Sequence, residues 1–239
     1  AYGDPALRAR RIDAATCTAA LLRLSLLLEQ LHERAVVVGD LNDRNVLVQG
    51  RQIALIDADS LQFGPYLCRL YTEAFVDPTL CDPAAPRPVL RQAYGPAADD
   101  YAFALLVLRS LLLTGAYGGV YKPPGAAQQV APARRPLLRL SVLHPEVTYP
   151  VSAWPPEILP DALLEHLRRV LHEDLRQPLP RALLSRLRWR GCTCGLEHAG
   201  GGCPRCQRRP TPRPQARRGE LAAQCVVQLE RGVLLDLEI

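Results

Sequence analysis

The sequence predicts a mainly α-helical α+β domain followed by a small metal-binding appendage. Two long segments carry leucine and alanine at helical spacing, which is typical of helices packed in a core. Between them, two short apolar runs flank the turn Gln49-Gly-Arg51, the pattern of a β-hairpin. Four clustered cysteines near the C-terminal end indicate a bound metal rather than disulfides.

The first half of the chain is predicted in detail by these patterns. A helix is expected from Asp13 to Glu33, largely buried because its leucines cover more than half of its circumference. Val36 to Val38 is predicted as a short strand. The hairpin strands are expected from Asn45 to Val48 and from Ile53 to Ile56.

Two further helical regions are predicted after a long irregular segment. From Asp59 to Pro96, proline and polar residues show no periodicity, and segments of this length are often functional or disordered. Asp99 to Thr114 is apolar nearly all round, so we expect a central helix. Residues 120 to 156 are predicted as loops and short turns. Amphipathic surface helices are predicted at Pro160 to His172 and Leu179 to Trp189.

Polar residues around the hairpin form the strongest functional pattern. Asn45 follows Asp40 by five residues, and Asp57 comes at the end of the second predicted strand. Phosphoryl transfer to a hydroxyl requires a carboxylate near the acceptor oxygen and oxygen ligands for magnesium. The spacing therefore indicates a phosphotransferase site, although a polar turn with no chemistry would use the same residue types.

In these residues the sequence resembles the C-terminal lobe of the protein-kinase-like superfamily, over residues 13 to 188. That family's catalytic loop reads Asp-x-x-x-x-Asn, and its metal-binding aspartate follows a β-hairpin. The resemblance implies two catalytic-loop residues, Asp40 and Asn42, the second standing where the family carries a lysine. It also implies that Asn45 and Asp57 hold magnesium on ATP, with Asp59 as a further metal or loop-ordering ligand.

The resemblance extends to the central helix. The segment Asp99-Asp-Tyr-Ala-Phe-Ala104 resembles the start of the family's central helix, whose aspartate hydrogen-bonds the catalytic-loop backbone, which implies this structural role for Asp99 and less so for Asp100. Thr79 stands where the family has a glutamate, so its customary ion pair with a late arginine is not predicted. No glycine-rich loop or lysine precedes Asp40. We therefore expect an upstream nucleotide-clamping lobe, or a minimal or inactive kinase.

Three functions remain open at this point. The first is an ATP- and magnesium-dependent transferase, a Ser/Thr-type protein kinase. The second is a pseudokinase or scaffold that binds partner proteins through the lobe and the cysteine segment. The third is a small-molecule kinase, because the Gly39-Asp40 pair resembles antibiotic and small-molecule kinases.

The cysteine cluster predicts a zinc ribbon at residues 189 to 209. Four thiolates in two close pairs satisfy the tetrahedral coordination of structural zinc, and the four are Cys192, Cys194, Cys203 and Cys206. His198 is an alternative to one of them, and reduced cysteines in a flexible tail are an alternative to the site. The arrangement resembles bacterial kinases that carry a zinc ribbon and are encoded beside a PP2C-type phosphatase and a von Willebrand factor A domain protein. Such proteins are the implied partners.

Charge and hydropathy limit the other classes. The net charge is +5 and Lys122 is the only lysine. Residues 210 to 220 form an Arg/Pro linker without the aromatics that stack on bases, so nucleic-acid binding is not expected. No apolar run of membrane-spanning length or signal peptide occurs, and we predict a cytoplasmic protein with no membrane contact. Residues 221 to 239 are predicted as a terminal hairpin or the start of a further element.

Overall fold

Helix α1, Ala14–His32, is the first element of this computed structural model, which describes residues 13–49, 52–123, 125 and 129–207. Asp13 caps the helix by accepting the backbone N–H of Thr16 at 2.6 Å. One face is buried against α2, α4 and β2, whose bounds follow. Leu26 on the opposite side is 43% exposed. The predicted helix is confirmed, but its burial is limited to one face.

Helix α1 is also, among the described residues, the one helix long and apolar enough to cross a membrane by length and composition. Its mean hydropathy over the best window is 1.3. The core helix of a folded domain can have the same length and composition. In this structure Leu21, Leu24 and Leu28 of α1 pack into the main core, as the residues of a core helix do.

The hairpin consists of β1, Val46–Gln49, and β2, Gln52–Leu55, paired antiparallel with Val46 opposite Leu55. This confirms the predicted hairpin, although its turn positions 50 and 51 lie outside the described residues. The predicted strand from Val36 to Val38 is wrong in extent. Only Val37 pairs, exchanging backbone hydrogen bonds of 2.9 and 2.7 Å with Gln62, because Gly39 turns the chain away at a positive φ.

Helix α2, Pro96–Leu112, is the central element, and all but a few of its side chains are buried. It begins three residues before the predicted start at Asp99, since Pro96 has the φ that favours the first helical position. It ends where Leu113 adopts a left-handed conformation at φ 56°. Asp99 therefore lies in the first helical turn.

The irregular segment between β2 and α2 is held by short turns and one buried ion pair. The 3-10 turns are Ala58–Ser60 and Pro78–Leu80. Asp77, 2% exposed, accepts two hydrogen bonds from the guanidinium of Arg176, at 2.6 and 2.8 Å. This ion pair is made by Asp77, two residues before Thr79.

The remaining described chain contains small elements. Strands β3, Val120–Tyr121, and β4, Val147–Thr148, form a second pair. Short 3-10 turns occur at Pro132–Arg134, Pro136–Leu138 and Pro156–Ile158. Helix α3 spans Asp161–His172 and α4 spans Arg181–Ser185. The helix predicted at Leu179 to Trp189 is therefore wrong in length: it begins after Pro180 and ends at Ser185, and the chain is extended again from Arg190.

The cysteine segment contains β5, Arg190–Gly191, β6, Glu197–His198, and α5, Pro204–Gln207. It belongs to the same compact unit as the helices, a unit that ends at Gln207. Leu196 is fully buried in the main core. In the described residues the segment is thus part of the main unit rather than a separate appendage. The predicted linker 210 to 220 and terminal hairpin 221 to 239 lie outside the described residues.

Candidate functional site

The loop that carries Asp40 is held by hydrogen bonds to the buried side chain of Asp99. The carboxylate of Asp99 is fully buried and accepts the backbone N–H groups of Val38 at 2.8 Å and Gly39 at 2.9 Å. Its Oδ2 also lies 2.8 Å from Nε2 of His32, at the end of α1. The hydrogen bond to Asp99 raises the pKa of His32. Three hydrogen bonds compensate the burial of this carboxylate and fix the start of the loop.

Gly39 is required by the backbone at this point. Its φ is +76°, a conformation that side chains rarely adopt. A Cβ atom there would lie 2.8 Å from the carbonyl oxygen of Ser60 and 3.0 Å from Sγ of Cys68. The glycine before Asp40 is therefore explained by close packing.

Two buried asparagines shape the loop around the backbone of Asp40. The side-chain amides of Asn42 and Asn45 each donate to the carbonyl oxygen of Asp40, both at 3.0 Å. Oδ1 of Asn42 accepts the backbone N–H groups of Arg44 and Asn45. Asn42 is 2% exposed and is occupied by the loop itself. These contacts hold the loop, and the catalytic position that the resemblance implied for Asn42 stays a prediction.

The carboxylate of Asp40 is half-buried and contacts Thr72 from the irregular segment. Its two oxygens accept the backbone N–H of Thr72 at 2.7 Å and the hydroxyl at 3.1 Å. The same hydroxyl accepts a hydrogen bond from Asn42 at 3.1 Å. Thr72 is a site residue that the sequence did not reveal, because 32 positions separate it from Asp40 and no local pattern marks it.

The hairpin brings Asp57 next to Asn45. The backbone N–H of Ile56 donates to the carbonyl of Asn45 at 3.0 Å, so Asp57 follows directly after this pair. Asp57 is exposed and has a left-handed backbone with φ 66° and ψ 62°. This conformation is uncommon for a residue other than glycine and is often found at functional sites. Asp59 is exposed on the following turn, Ala58–Ser60.

The oxygen donors of this loop are of the kind that bind a hard cation. Asn45 offers an amide oxygen and Asp57 a carboxylate, and oxygen atoms are the ligands that magnesium prefers. In the part of the chain that the structure describes, no three carboxylates gather closely enough to share an ion. A metal here would therefore need further ligands from water or a bound phosphate.

The four predicted cysteines do come together. The Sγ atoms of Cys192, Cys194, Cys203 and Cys206 all lie within 4.8 Å of one another. Two of the pairs, Cys192 with Cys206 and Cys194 with Cys203, are 3.5 Å apart. Thiolates around a zinc ion at about 2.3 Å in a tetrahedron are about 3.8 Å apart. This group is therefore close enough to hold a metal ion.

The backbone turn of the first cysteine pair presents both sulfurs on one side. The backbone N–H of Cys192 donates to Leu196, and Gly195 closes the turn on the carbonyl of Cys192, each at 2.9 Å. The backbone N–H of Cys194 and then the thiol of Cys206 lower the pKa of Cys192, and the same contact raises the pKa of Cys206. Without an ion, the group therefore favours one thiolate that accepts hydrogen bonds from its neighbours. His198 is not a member of the group.

The cysteine segment is fastened to the helical unit by specific contacts. The backbone N–H groups of Ala199 and Gly200 both donate to the carbonyl of Ile158, at 2.7 and 2.9 Å. Nε1 of Trp189 donates to the hydroxyl of Thr18 on α1 at 2.9 Å. These contacts hold the cysteine segment against α1 and the turn that contains Ile158.

Comparison with known proteins does not assign the chain to a family. No family model matches the sequence. No curated protein is significantly similar to it. Its function is therefore argued from the residues and contacts described above.

Proposed function

We propose that this chain is the helical lobe of an ATP- and magnesium-dependent phosphotransferase of the protein-kinase-like type, which acts on serine or threonine hydroxyls. The observation that carries the proposal is the bond from the side-chain amide of Asn45 to the carbonyl of Asp40, next to Asp57. It holds Asn45 against the backbone of Asp40, whose carboxylate can receive a proton, and the backbone bond from Ile56 to Asn45 keeps Asp57 close in the fold.

Asp40 has the role of orienting the acceptor hydroxyl and receiving its proton. Its carboxylate is already held by the backbone N–H and the hydroxyl of Thr72, so its position is fixed before a substrate arrives. ATP with magnesium supplies the phosphoryl group and neutralises its charge. Asn45 and Asp57 are the residues that would hold that magnesium, and Asp59, exposed on the next turn, would be a further ligand.

The buried contacts of Asp99 support this assignment. By holding two consecutive amides, Asp99 fixes the backbone on the N-terminal side of Asp40. Asn42 and Asn45 fix the carbonyl on the other side of the same residue. A loop that served only as a connection would not need buried polar side chains on both sides, because exposed loops satisfy their backbone with water.

Binding of nucleotide tests the proposal. Magnesium with ATP at 100 times its dissociation constant should stabilise the protein by about 2.7 kcal/mol in thermal or chemical denaturation. Asp57→Ala should lose this stabilisation. Asp161→Ala, which removes an exposed carboxylate at the start of α3, is the matched control and should retain it.

The outcomes separate the alternatives. If the wild type shows no magnesium-dependent stabilisation by ATP, phosphoryl transfer by this chain alone is rejected and a scaffold that binds partner proteins takes its place. If nucleotide binds, transfer of phosphate to a generic basic protein or to a panel of small hydroxyl compounds distinguishes a protein kinase from a small-molecule kinase.

We further propose that the ion held by the cysteine group is zinc and that its role is structural. Four thiolates complete a tetrahedron and leave no position for a reacting water. Elemental analysis of purified protein should find about one zinc per chain. Cys203→Ser should lose it and Thr193→Ala, an exposed neighbour without a ligand atom in the group, should keep it. Folded wild type that is fully metal-free would contradict the proposal.

A further inference from the structure

A cavity of about 250 Å³ lies beside the C-terminal half of α2, and no residue between 40 and 45 lines it. One wall is the glycine turn after that helix, residues 115–118. A second wall is formed by residues 73–75, and a third comes from the 3-10 turns at 132 to 138. A cavity of about 150 Å³ can hold benzene, and sites for drug-sized molecules measure about 300–1,000 Å³. The volume therefore suits one compact small molecule.

Most of the lining is apolar. It includes three buried residues of the main core, Phe75, Leu105 and Ala116. The hydroxyl of Tyr117 is hydrogen-bonded to that of Tyr101 at 2.9 Å, so this polar group already has a partner. The prolines of the lining are Pro88, Pro132 and Pro136. An apolar molecular body is therefore favoured in this part of the cavity.

The glycine turn carries backbone donors that the protein leaves unused. The N–H of Gly118 donates to the carbonyl of Gly115 at 3.0 Å. Within the described residues, the backbone N–H groups of Gly115, Ala116 and Tyr117 make no hydrogen bond to an acceptor. Ala116 is only 5% exposed, and nearly buried N–H groups normally have an acceptor. Successive free N–H groups of a turn are a known kind of anion site, so this wall offers donors to an anion.

An arginine lies at the same turn. Nη1 of Arg109 is 3.6 Å from the position that a Cβ atom on Gly115 would take, and Arg109 lines the cavity. Its Nε lies 2.7 Å from the carboxylate of Asp43, and its guanidinium carbon lies 6.0 Å from the centre of the Phe75 ring. A guanidinium has five N–H donors, more than one carboxylate uses. The cation, the free N–H groups and an aromatic ring therefore meet in one part of the cavity.

The charges around the cavity leave one positive charge over. The two charged residues of the lining, Glu73 and Arg109, are each paired with a residue of opposite sign. Arg135, 2% exposed, donates instead to the carbonyl of the lining residue Gly118 at 2.9 Å and to two further carbonyl oxygens. No carboxylate of the described residues pairs with it. Because carbonyl dipoles carry no net charge, a single negative charge is favoured nearby.

We propose that this cavity is a binding site for a small monocarboxylic acid with a compact apolar body, such as an arylalkanoate. The carboxylate accepts hydrogen bonds from the guanidinium of Arg109 and from the glycine turn, and the apolar body packs against Phe75 and Leu105. A phosphate ester, with about 1.5 to 2 negative charges, fits the single unpaired positive charge less well. The site goes beyond the proposed phosphotransferase function, because none of these contacts involves ATP, magnesium or Asp40.

Three probes that share one apolar body test the site: phenylacetate, phenethyl alcohol and phenethylamine. Their dissociation constants are measured by isothermal titration calorimetry on the whole chain without nucleotide. Phenylacetate should bind about tenfold more tightly than the alcohol, because hydrogen bonds to a charged acceptor are about twice as strong as neutral ones. The amine should bind more weakly than the alcohol, because it adds a second positive charge to the unpaired one.

A pair of arginine variants locates the carboxylate. Arg109→Met removes the guanidinium and keeps an apolar stem, so the affinity for phenylacetate should fall about tenfold, to that of the alcohol. The affinity for the alcohol should stay unchanged. Arg168→Met is the matched control, because the side chains of Arg168 and Arg109 are similarly exposed, at 46% and 42%, and Arg168 does not line the cavity. It should keep the wild-type preference.

A pair of alanine variants locates the apolar body. Ala133 is exposed and lines the cavity, so Ala133→Trp should fill the opening and abolish binding of both phenylacetate and the alcohol. Ala131 is exposed and is not a lining residue, so Ala131→Trp should bind both as the wild type does. Circular dichroism of each variant checks that the helices are retained.

The inference is overturned if phenylacetate does not bind the wild type at millimolar concentration, or if it binds no more tightly than the alcohol. Retained preference in Arg109→Met, or retained binding in Ala133→Trp, would overturn it as well, because the ligand would then lie elsewhere. These titrations contain no nucleotide, so their outcome is independent of whether the chain binds ATP. Failure of this site and failure of the phosphotransferase function are therefore distinguishable.

Discussion

The loop around Asp40 and the cysteine segment around Cys203 are both irregular pieces of chain, but different interactions hold them. The loop is fixed by buried side chains, above all Asp99 and Asn42, whose hydrogen bonds are complete within the fold. The cysteine segment brings together four thiols, of which that of Cys206 belongs to an exposed residue. The loop should therefore keep its shape without any ligand, whereas the cysteine segment should depend on an ion.

Replacing Asp99 should have the largest effect on this contrast. Asp99→Ala leaves two buried N–H groups and His32 without their acceptor, and breaking such a buried charged contact costs about 3–5 kcal/mol. Urea denaturation should show this loss in the free energy of unfolding. The neighbouring variant Asp100→Ala should cost much less, since burial already disfavours that carboxylate and raises its pKa to about 6. Equal losses in the two variants would mean that the loop contacts of Asp99 are not special.

Removal of metal should have the next largest effect. For zinc at 1,000 times its dissociation constant, chelation should lower the stability of the wild type by about 4.1 kcal/mol. Hydrogen exchange should then accelerate at Gly195 and Ala199 while the amides of Val38 and Gly39 remain protected, because their bonds to Asp99 need no metal. Accelerated exchange at both places would show that the two regions open as one unit.

A single methyl group at Gly39 tests how closely the loop is packed. Gly39→Ala combines a positive φ with a contact of 2.8 Å to the backbone of Ser60, and we expect a loss of about 2 kcal/mol or more in chemical denaturation. Gly64 also has a positive φ, +51°, but its Cβ would meet open space. Gly64→Ala therefore measures the conformational cost alone. If both variants lose the same stability, the close packing at Gly39 contributes nothing.

A smaller effect is expected from pH. The raised pKa of His32 means that its bond to Asp99 stabilises the fold fully below the unfolded pKa of about 6.5 and that this contribution is lost as pH rises through the higher folded value. Burial disfavours the charged form of Asp100 and raises its pKa to about 6, so the free energy of unfolding also falls as pH rises from about 4 to about 6.

The measurement that isolates His32 is the difference between wild type and His32→Gln. This difference should shrink as pH rises above neutrality in denaturation experiments. The lowered pKa values of His166 and His172 contribute the opposite slope in both proteins and therefore cancel. If the stability difference between wild type and His32→Gln grows as pH rises, protonation of His32 does not stabilise the fold.

Local patterns predicted the elements that local forces form. The alternating apolar runs and the intervening glycine turn predicted the hairpin to within a residue or two. Leucine periodicity predicted α1 and α2, with errors at the ends. The pattern failed at Leu179 to Trp189, where helical spacing of leucines continues although only Arg181–Ser185 is helical. After Ser185 the chain instead makes tertiary contacts, such as the hydrogen bond from Trp189 to Thr18.

The sequence pointed to the residues of the candidate site and to one of its supports, Asp99, whose bonds to the backbone of Val38 and Gly39 are present, but not to the other supports. Asp40, Asn45 and Asp57 lie close in sequence, so their spacing suggested a shared role. Thr72 supports Asp40 from 32 positions away, and Arg176 pairs with Asp77 from 99 positions away. No local propensity records such pairs, because they exist only once the chain has brought two distant segments together.

The sequence by itself determined the approximate positions of the helices and the hairpin. It also determined which loop residues carry groups that could take part in chemistry, and that four cysteines are grouped. Each of these follows from spacing over a few residues. The tertiary structure alone decided which carboxylate is buried, why Gly39 must be glycine, and that the cysteine segment is fastened to Ile158. These depend on burial and on contacts between distant segments, which the order of residues does not state.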